Sequence, residues 1–277
     1  MKGFYRIAAA TPQLHLGDAA ANANEMARLA RKAAESGVAA IVFPELSVTG
    51  YTCGDLFFRD GLLGAAKSAL DDFANATASL PIVSVLGFPE LRGNAIYNAA
   101  AVVCGGKTVG VVRKRSLPTY REYYEARQFT PAPDEEPPQV FDAGGLRFGV
   151  EICEDLWTPV PPSSQMAVEG VDVVFNLSAS TDYLGKSSRR RDMVRQQSLR
   201  LGCAYAMACS GIGESSSDAV FGGDSLIAAN GRILAEAPQF ADEGQLVVAD
   251  VDVEAMRFLR RSASSIATPR PAGPTRG

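Results

Sequence analysis

Histidine is nearly absent from this chain, since His15 is the single histidine among 277 residues. A Ser-His-Asp hydrolase, a Cys-His protease or a multi-histidine metal site would each have to depend on that one residue. His15 lies in a Leu-His-Leu segment typical of a loop, where an ordinary loop histidine is expected. Hydrolytic chemistry in this chain therefore needs another base, and no metal site is predicted.

Cysteine pairs, strong charge and long apolar runs are also lacking. The five cysteines are an odd number without a CxxC spacing, which argues for reduced thiols rather than a disulfide framework. A net charge of -4 gives no electrostatic footprint for nucleic acid or an anionic membrane. No apolar run reaches the ~18 residues that a membrane span needs, and the first residues lack a signal-peptide pattern. We therefore predict a cytoplasmic protein without nucleic-acid or membrane partners.

What the chain does have is an ordinary globular composition, with 47% hydrophobic residues and alternating strand-like and helix-like segments. Alternating β and α segments with at least one hairpin predict an α/β domain with a mixed sheet covered by helices. The hairpin is expected at Gly105-Gly106. Strands are predicted at residues 6–10, 38–43, 82–86, 96–104, 108–113, 146–152, 171–177, 204–209, 224–228, 232–236 and 245–252, and helices from 18 to about 37 and at 64–78, 164–169 and 186–201.

Three predicted strands each end at a reactive side chain: Glu45, Lys114 and Cys153. Functional groups gather at strand ends in open α/β sheets, so these three side chains could converge on one pocket. Together they are sufficient for acyl transfer without a histidine. A carboxylate can take the proton of a thiol, and an ammonium can lower the thiol pKa and stabilise the oxyanion of a tetrahedral intermediate.

Each of the three residues also has a simpler interpretation. A buried cysteine after an apolar strand is usually structural. Lys114 lies in an Arg-Lys-Arg run that is typical of a solvated basic face, and Glu45 after a proline could cap a helix. Spacing alone leaves both interpretations open.

The sequences around these residues resemble the three signature motifs of the nitrilase (carbon-nitrogen hydrolase) superfamily. The motifs are residues 44–51 (PELSVTGY), 114–118 (KRSLP) and 151–157 (EICEDLW). The resemblance implies a nitrilase-like αββα sandwich with mixed β-sheets and a triad of Glu45, Lys114 and Cys153. It also implies that residues 1–262 form the amidohydrolase domain, and we predict that residues 263–277 form a Pro-rich tail or linker.

Further motifs resemble one branch, the N-terminal glutaminase domain of glutamine-dependent NAD(+) synthetases. They are residues 117–122 (LPTYRE), 153–157 (CEDLW) and 176–180 (NLSAS), with Gly185-Lys186 after them. The resemblance implies that Glu125 is a second carboxylate supporting Lys114. It further implies that the glutamine pocket is lined by Tyr120, Glu154, Ser180 and Lys186. Tyr120 could instead pack under a loop, and Glu154 and Asp155 could cap the segment after Cys153.

Residues 221–225 (FGGDS) superficially resemble the SGGxDS phosphate loop of the ATP-pyrophosphatase domain that full-length synthetases carry. The leading serine is missing, and no strong helical pattern follows to direct a helix dipole at phosphate. We therefore interpret this segment as structural. No cofactor is predicted for this chain, and ATP and Mg²⁺ are expected only on a synthetase domain absent from it.

These observations favour a glutamine amidohydrolase that supplies ammonia to an NAD(+) synthetase domain. The first alternative is a stand-alone amidase or carbamoylase of the same superfamily acting on another small amide. A catalytically idle binding module is a third possibility, which the three filled triad positions disfavour. The resemblance also implies a homo-oligomer.

Overall fold

A computed structural model describes residues 3–263. The predicted tail at 263–277 therefore lies outside the described residues, except for its first position. Strands are β1 (Phe4–Thr11), β2 (Ala40–Val42), β3 (Val83–Arg92), β4 (Ala95–Cys104), β5 (Lys107–Arg113), β6 (Val140–Ala143), β7 (Leu146–Ile152), β8 (Val173–Ser178), β9 (Ala204–Cys209), β10 (Leu226–Ala229), β11 (Arg232–Glu236) and β12 (Gln245–Asp252). Helices are α1 (Ala19–Glu35), α2 (Asp60–Ala76), α3 (Glu125–Gln128), α4 (Pro162–Val168), α5 (Lys186–Leu201) and α6 (Val253–Ser262), with 3₁₀ helices at Gly54–Phe58 and Cys153–Trp157.

The strands form two six-stranded sheets with the same internal plan. The first sheet has the order β12-β1-β2-β3-β4-β5, and the second has the order β11-β10-β9-β8-β7-β6. In each sheet three central strands run parallel, β1-β2-β3 in the first and β7-β8-β9 in the second, and antiparallel strands flank them. Parallel strands place their carboxyl ends at one edge of a sheet. Glu45 follows β2 and Cys153 follows β7, so each residue lies at the carboxyl end of a central parallel strand.

Three apolar layers hold the sheets and helices together. Side chains of alternating strand positions, such as Val42 and Val150, form one core between the two sheets. A second core packs α1 and α2 on the outer face of the first sheet, and a third packs α4 and α5 on the second sheet. The layer order is therefore helix, sheet, sheet, helix. The predicted α/β class and αββα sandwich with mixed sheets are confirmed.

The largest departures from the predicted elements are short or charged segments. The sequence analysis missed β6, an edge strand of only four residues, and α3, a single helical turn. It also missed α6, whose buried positions Val253, Met256 and Arg260 include a charged side chain. The sequence does contain an N-cap signal for α6, because aspartate is a favoured N-cap residue and Asp252 stands directly before the helix. Its carboxylate accepts a hydrogen bond from the Ala255 N–H at 2.9 Å.

The predicted β4–β5 hairpin is present, and its register is offset by a bulge. Gly105 and Gly106 form the turn with φ of +56° and +79°. The pairing shifts between Val102 and Val103, after which β5 continues in a new register. As a result the Lys114 N–H donates to the Asn98 carbonyl at 2.9 Å, directly after β5.

Gly87 in β3 allows the segment that carries Glu45 to lie directly against the sheet. A Cβ at this position would be 2.2 Å from the Leu46 nitrogen and 2.5 Å from the Pro44 oxygen. Both atoms belong to the main chain, so neither can move aside independently. The position of Glu45 therefore depends on a residue without a side chain at 87.

We expect Gly87→Ala to lower the free energy of unfolding by about 1–3 kcal/mol, because the added methyl group overlaps main-chain atoms. Gly64→Ala is the matched control, since Gly64 is exposed within α2 and a Cβ there meets no atom within 4 Å. The control should raise stability by about 0.5–1 kcal/mol, because alanine is the better helix former. Denaturant unfolding of both variants measures the contrast. Equal stabilities would contradict the close approach at Gly87.

Candidate active site

Glu45 is fully buried and is held by three hydrogen-bond donors. Its Oε1 accepts from Lys114 Nζ and from Asn98 Nδ2, each at 2.6 Å. Its Oε2 accepts from the Ala179 N–H of the opposite sheet at 2.8 Å. Both oxygens of the Glu45 carboxyl group therefore accept hydrogen bonds. The three contacts hold this carboxyl group in place between the two sheets.

Lys114 lies between two carboxylates and is 1% exposed. Its Nζ is 2.6 Å from Glu45 Oε1 and 2.6 Å from Glu125 Oε1. Burial opposes the ammonium charge, but Glu125 and Glu45 together outweigh it and raise the pKa of Lys114 well above its ordinary value. The two neighbouring carboxyl groups therefore favour the ammonium form of Lys114 at this site.

Glu125 is the first residue of α3 and is also buried. Its Oε1 accepts from the Tyr51 hydroxyl at 2.8 Å in addition to Lys114. Burial raises the pKa of Glu125, and the negative charge of Glu45 acts in the same direction. Glu125 thus contacts the Lys114 ammonium directly, and its Oε2 also accepts from Asn98 Nδ2 at 3.4 Å.

Cys153 follows β7 at a sharp corner of the main chain. Its φ is +45°, a left-handed conformation that is unfavourable for a residue with a side chain, at the start of the 3₁₀ helix. Burial raises the pKa of the Cys153 thiol well above its ordinary value, and Glu45 raises it further while Lys114 lowers it. The charges of both predicted partners therefore act on this sulfur, and the resting group is a neutral thiol.

Asp155 joins the segment of Lys114 to the segment of Cys153. Its carboxylate accepts from the main-chain N–H groups of Arg115 at 3.1 Å, Ser116 at 2.8 Å and Ile152 at 3.2 Å. Burial raises the pKa of Asp155 to about 6. Asp155 thus caps the start of the 3₁₀ helix, as one interpretation of the sequence expected. Its carboxylate also holds the segment after Lys114 against the segment before Cys153.

The four residues implied for the glutamine pocket lie on segments next to Cys153. The Tyr120 hydroxyl donates to Glu154 Oε1 at 2.8 Å, and Tyr120 is half exposed. Ser180 is buried, directly after the Ala179 N–H that binds Glu45. The Lys186 ammonium lies over the rings of Trp157 and Tyr183, at 4.9 and 5.2 Å from their centroids. Burial opposes the charge of Glu122, but a hydrogen bond from Thr181 and the positive charge of Lys186 lower the pKa of Glu122 below its ordinary value.

Several polar side chains at the site were not predicted. Asn98 had no motif to indicate it, and only the hairpin register brings it beside Lys114. The Tyr123 hydroxyl lies 2.9 Å from Thr181 Oγ1, which in turn donates to Glu122 at 2.5 Å. Glu122, Tyr123 and Thr181 lie in or next to the motifs at residues 117–122 and 176–180. This position was the signal in the sequence that could have indicated them. Tyr123 and Glu122 also line a pocket of about 130 Å³ that reaches Glu125.

The segment at 221–225 is structural, as interpreted from the sequence. Ser225 Oγ accepts from the Cys209 N–H at 2.9 Å and lies 2.7 Å from Thr11 Oγ1. Asp224 Oδ1 accepts from the buried Arg190 guanidinium at 2.6 Å. The segment leads into β10, a strand rather than a helix, so it has no helix N-terminus for a phosphate.

A family model described as carbon-nitrogen hydrolase matches residues 6–261, nearly the whole chain. The chain belongs to the carbon-nitrogen hydrolase family. Within residues 3–263, this carbon-nitrogen hydrolase has no helix long and apolar enough to cross a membrane.

Curated relatives of this carbon-nitrogen hydrolase carry the name glutamine-dependent NAD(+) synthetase. The protein from Mycobacterium leprae (strain TN) is 41% identical over 275 residues, which cover 94% of this chain and 40% of the relative. The protein from Thermotoga maritima is 35% identical over 240 residues, covering 86% of this chain and 40% of the relative. The chain therefore spans less than half the length of these relatives. The predicted resemblance to this branch is confirmed.

Solved structures of similar proteins include synthetases and an amidase. The glutamine-dependent NAD+ synthetase of Acinetobacter baumannii, solved with ADP, has a TM-score of 0.81 at 29% identity, covering 91% of this chain and 46% of that one. An amidase from Nesterenkonia sp. AN1 has a TM-score of 0.78 at 22% identity, covering 95% and 96% of the two chains. At that identity the amidase supports the fold alone.

The raised pKa of Asp155 predicts a pH dependence of stability. Because folding favours its protonated form, the folded state holds more protons than the unfolded state between about pH 4 and pH 6. This group therefore makes the free energy of unfolding fall as the pH rises through that window. Asp155→Asn should flatten the fall, whereas Asp192→Asn, a change at an exposed position of α5, should not. Denaturant titrations at several pH values measure both slopes, and an unchanged slope in Asp155→Asn would refute the buried ionisation.

Proposed function

We propose that this chain hydrolyses the side-chain amide of glutamine to glutamate and ammonia through a thioester on Cys153. The observation that carries the proposal is the buried contact of Lys114 with both Glu45 and Glu125, beside a thiol on which all three charges act. This arrangement supplies a base, an oxyanion stabiliser and a nucleophile without a histidine. The names of the relatives support glutamine as the amide.

In the acylation half-reaction, Glu45 takes the proton of the Cys153 thiol as the sulfur attacks the side-chain carbonyl carbon. Lys114 and a main-chain N–H near Glu154 stabilise the resulting oxyanion. The carbon–nitrogen bond then breaks, and Glu45 returns its proton to the leaving ammonia. The product that stays behind is a γ-glutamyl thioester.

In the deacylation half-reaction, Glu45 takes a proton from a water molecule that attacks the thioester carbonyl. The second tetrahedral intermediate uses the same stabilising groups. Its collapse breaks the carbon–sulfur bond and releases glutamate, and the sulfur regains a proton from Glu45. Because Glu45 is ionised at the start of both half-reactions, one carboxylate serves throughout.

Tyr120, Glu154, Ser180 and Lys186 are proposed to hold the amino-acid end of glutamine. Lys186 offers a positive charge for the α-carboxylate, and Glu154 offers a negative charge for the α-ammonium. The hydrogen bond from Tyr120 to Glu154 orients that carboxylate at the surface of the site. Fixing both ends of the substrate sets how far its amide reaches toward Cys153.

The ammonia is proposed to serve NAD(+) synthesis on an ATP-pyrophosphatase domain, as the longer relatives suggest. ATP and Mg²⁺ belong to that domain in this proposal, and the glutaminase reaction needs no cofactor. Assembly into a homo-oligomer and a cytoplasmic location are further parts of the proposal. A stand-alone amidase or carbamoylase is the competing function.

Cys153→Ala should abolish amide hydrolysis, because it removes the only atom that can form the thioester. Glu45→Gln should lower kcat by orders of magnitude, because both proton transfers use this carboxylate. Cys104→Ala, at the exposed end of β4, is the matched control and should retain activity. Ammonia release from glutamine, measured on folded variants, checks all three.

Substitution of Cys203 or Cys209, which are buried in the second sheet, should change mainly stability. A folded Cys209→Ala variant as inactive as Cys153→Ala would overturn the assignment of the nucleophile. Near-normal turnover in Glu45→Gln would require a different base.

Glutamine should be hydrolysed with a much higher kcat/KM than asparagine. Asparagine is one methylene shorter, so its amide falls short of the Cys153 sulfur when its amino-acid end is bound, and misplacement of about 1 Å costs roughly 10²-fold. The measurement is ammonia release from each amino acid, with acetamide as a simple amide for comparison. Similar kcat/KM values for all three would instead support the stand-alone amidase.

A further inference from the structure

A continuous chain of buried polar side chains runs behind Cys153, on the face of the second sheet that is covered by α4 and α5. Its members are Glu151, Tyr205, Asn176 and Ser178, and none is more than 1% exposed. Buried polar groups are costly unless every one is hydrogen-bonded. The mechanism above uses none of these four residues.

The contacts in the chain are sequential. The Tyr205 hydroxyl donates to Glu151 Oε1, and Asn176 Nδ2 donates to the Tyr205 oxygen at 3.0 Å. Ser178 Oγ donates to Asn176 Oδ1 at 2.9 Å. The second oxygen of Glu151 accepts from the Ser163 N–H of α4 at 2.9 Å. Every member is thus tied to the next, and Glu151 is anchored at its far end.

Ser178 is the end of the chain nearest to the thiol. Leu177 in β8 pairs with Ile152 in β7, so Ser178 and Cys153 are the next residues along two adjacent parallel strands. Burial raises the pKa of the Cys153 thiol, and the Ser178 hydroxyl lowers it when the hydroxyl donates a hydrogen bond to the sulfur. The strand pairing therefore makes Ser178 the member of the chain that lies next to the reacting sulfur.

The ionisation of Glu151 fixes the direction of every donor in the chain. A carboxylate can only accept, so Tyr205 must donate to it and must accept from the NH₂ group of Asn176. The Asn176 oxygen then faces Ser178 and takes its proton. With the hydroxyl proton committed to Asn176, Ser178 can offer the sulfur only a lone pair, which suits a neutral S–H and not a thiolate.

A neutral group at position 151 permits the opposite direction. If it donates to Tyr205, then Tyr205 donates to Asn176, Asn176 donates to Ser178, and Ser178 is free to donate to the sulfur. We propose that Glu151, Tyr205, Asn176 and Ser178 form a relay that couples the charge on Glu151 to the protonation of the Cys153 thiol. The proposal rests on the proposed function only for the role of Cys153 as nucleophile.

Charged and titratable groups surround both ends of the relay. Burial raises the pKa of Glu151 to about 7, which makes its charge variable near neutral pH. Glu151 is faced by Tyr205 of β9, by Cys203 directly before β9, by Asp155 of the 3₁₀ helix and by the Ser163 N–H of α4. Gln197 of α5 is bound to the Ser163 hydroxyl. Cys153 is faced by Glu45, Lys114, Glu125, Tyr51, Tyr120 and Tyr123.

The test is the pH dependence of Cys153 alkylation by iodoacetamide without substrate, followed by mass spectrometry of the peptide containing Cys153. Glu151→Gln should move the midpoint about one pH unit lower, since one hydrogen bond to the charged sulfur is gained. Tyr205→Phe cuts the chain and should move the midpoint in the same direction by less. Glu169→Gln, an exposed matched change at the end of α4, should leave it in place.

The deciding comparison uses double variants. A relay predicts that Glu151→Gln has no further effect in a Tyr205→Phe or a Ser178→Ala background. Equal shifts with and without Tyr205 would overturn the relay in favour of a charge effect through space, and an unshifted midpoint in folded Glu151→Gln or Tyr205→Phe would overturn it outright. Because this readout needs no turnover, it is independent of the glutaminase assay, in which the proposed function fails if Cys153→Ala stays active.

Discussion

The ammonium of Lys114 is the charge around which the rest of the site is arranged. Removing a cation from water is costly, and the cost is offset only when opposite charges and hydrogen bonds surround it. Glu45 and Glu125 supply the opposite charges from two separate segments of the chain. Glu45 lies in the connection after β2, and Glu125 lies in the connection between β5 and β6. Glu45 in turn takes a donor from Ala179 of the second sheet. Satisfying one buried cation therefore requires both sheets to pack in a single relative position.

Two carboxylates around one ammonium leave the buried site with an excess of negative charge. That excess, added to burial, keeps Cys153 a neutral thiol, whereas many cysteine enzymes stabilise a resting thiolate. In the proposed reaction, formation of the nucleophile would then be coupled to proton transfer onto Glu45 within the attack itself. The left-handed φ of Cys153 and the Asp155 contacts with Arg115 and Ile152 fix the main chain that carries the thiol relative to the segment of Lys114.

The fold and the ends of the central strands could be read from the sequence because both follow local patterns. Leu146–Ile152 and Ala204–Cys209 are strands rich in apolar residues, and their bounds match the predicted ones. The neighbours of the triad were harder to find. Asn98 lies beside Lys114 through strand register, and Tyr205 meets Glu151 across 54 positions of the chain. Such pairings depend on how strands are aligned, which single-sequence periodicity does not encode.

The bulge opposite Val102 and Val103 constrains how many residues β5 can have between the bulge and Lys114. Side chains alternate faces along a strand, so one residue gained or lost after the bulge would turn Lys114 away from Asn98 and out of the site. Two residues would restore the face but displace the ammonium by about 7 Å. The span from the bulge to Lys114 must therefore keep its length, whereas its exposed side chains are not constrained by this register.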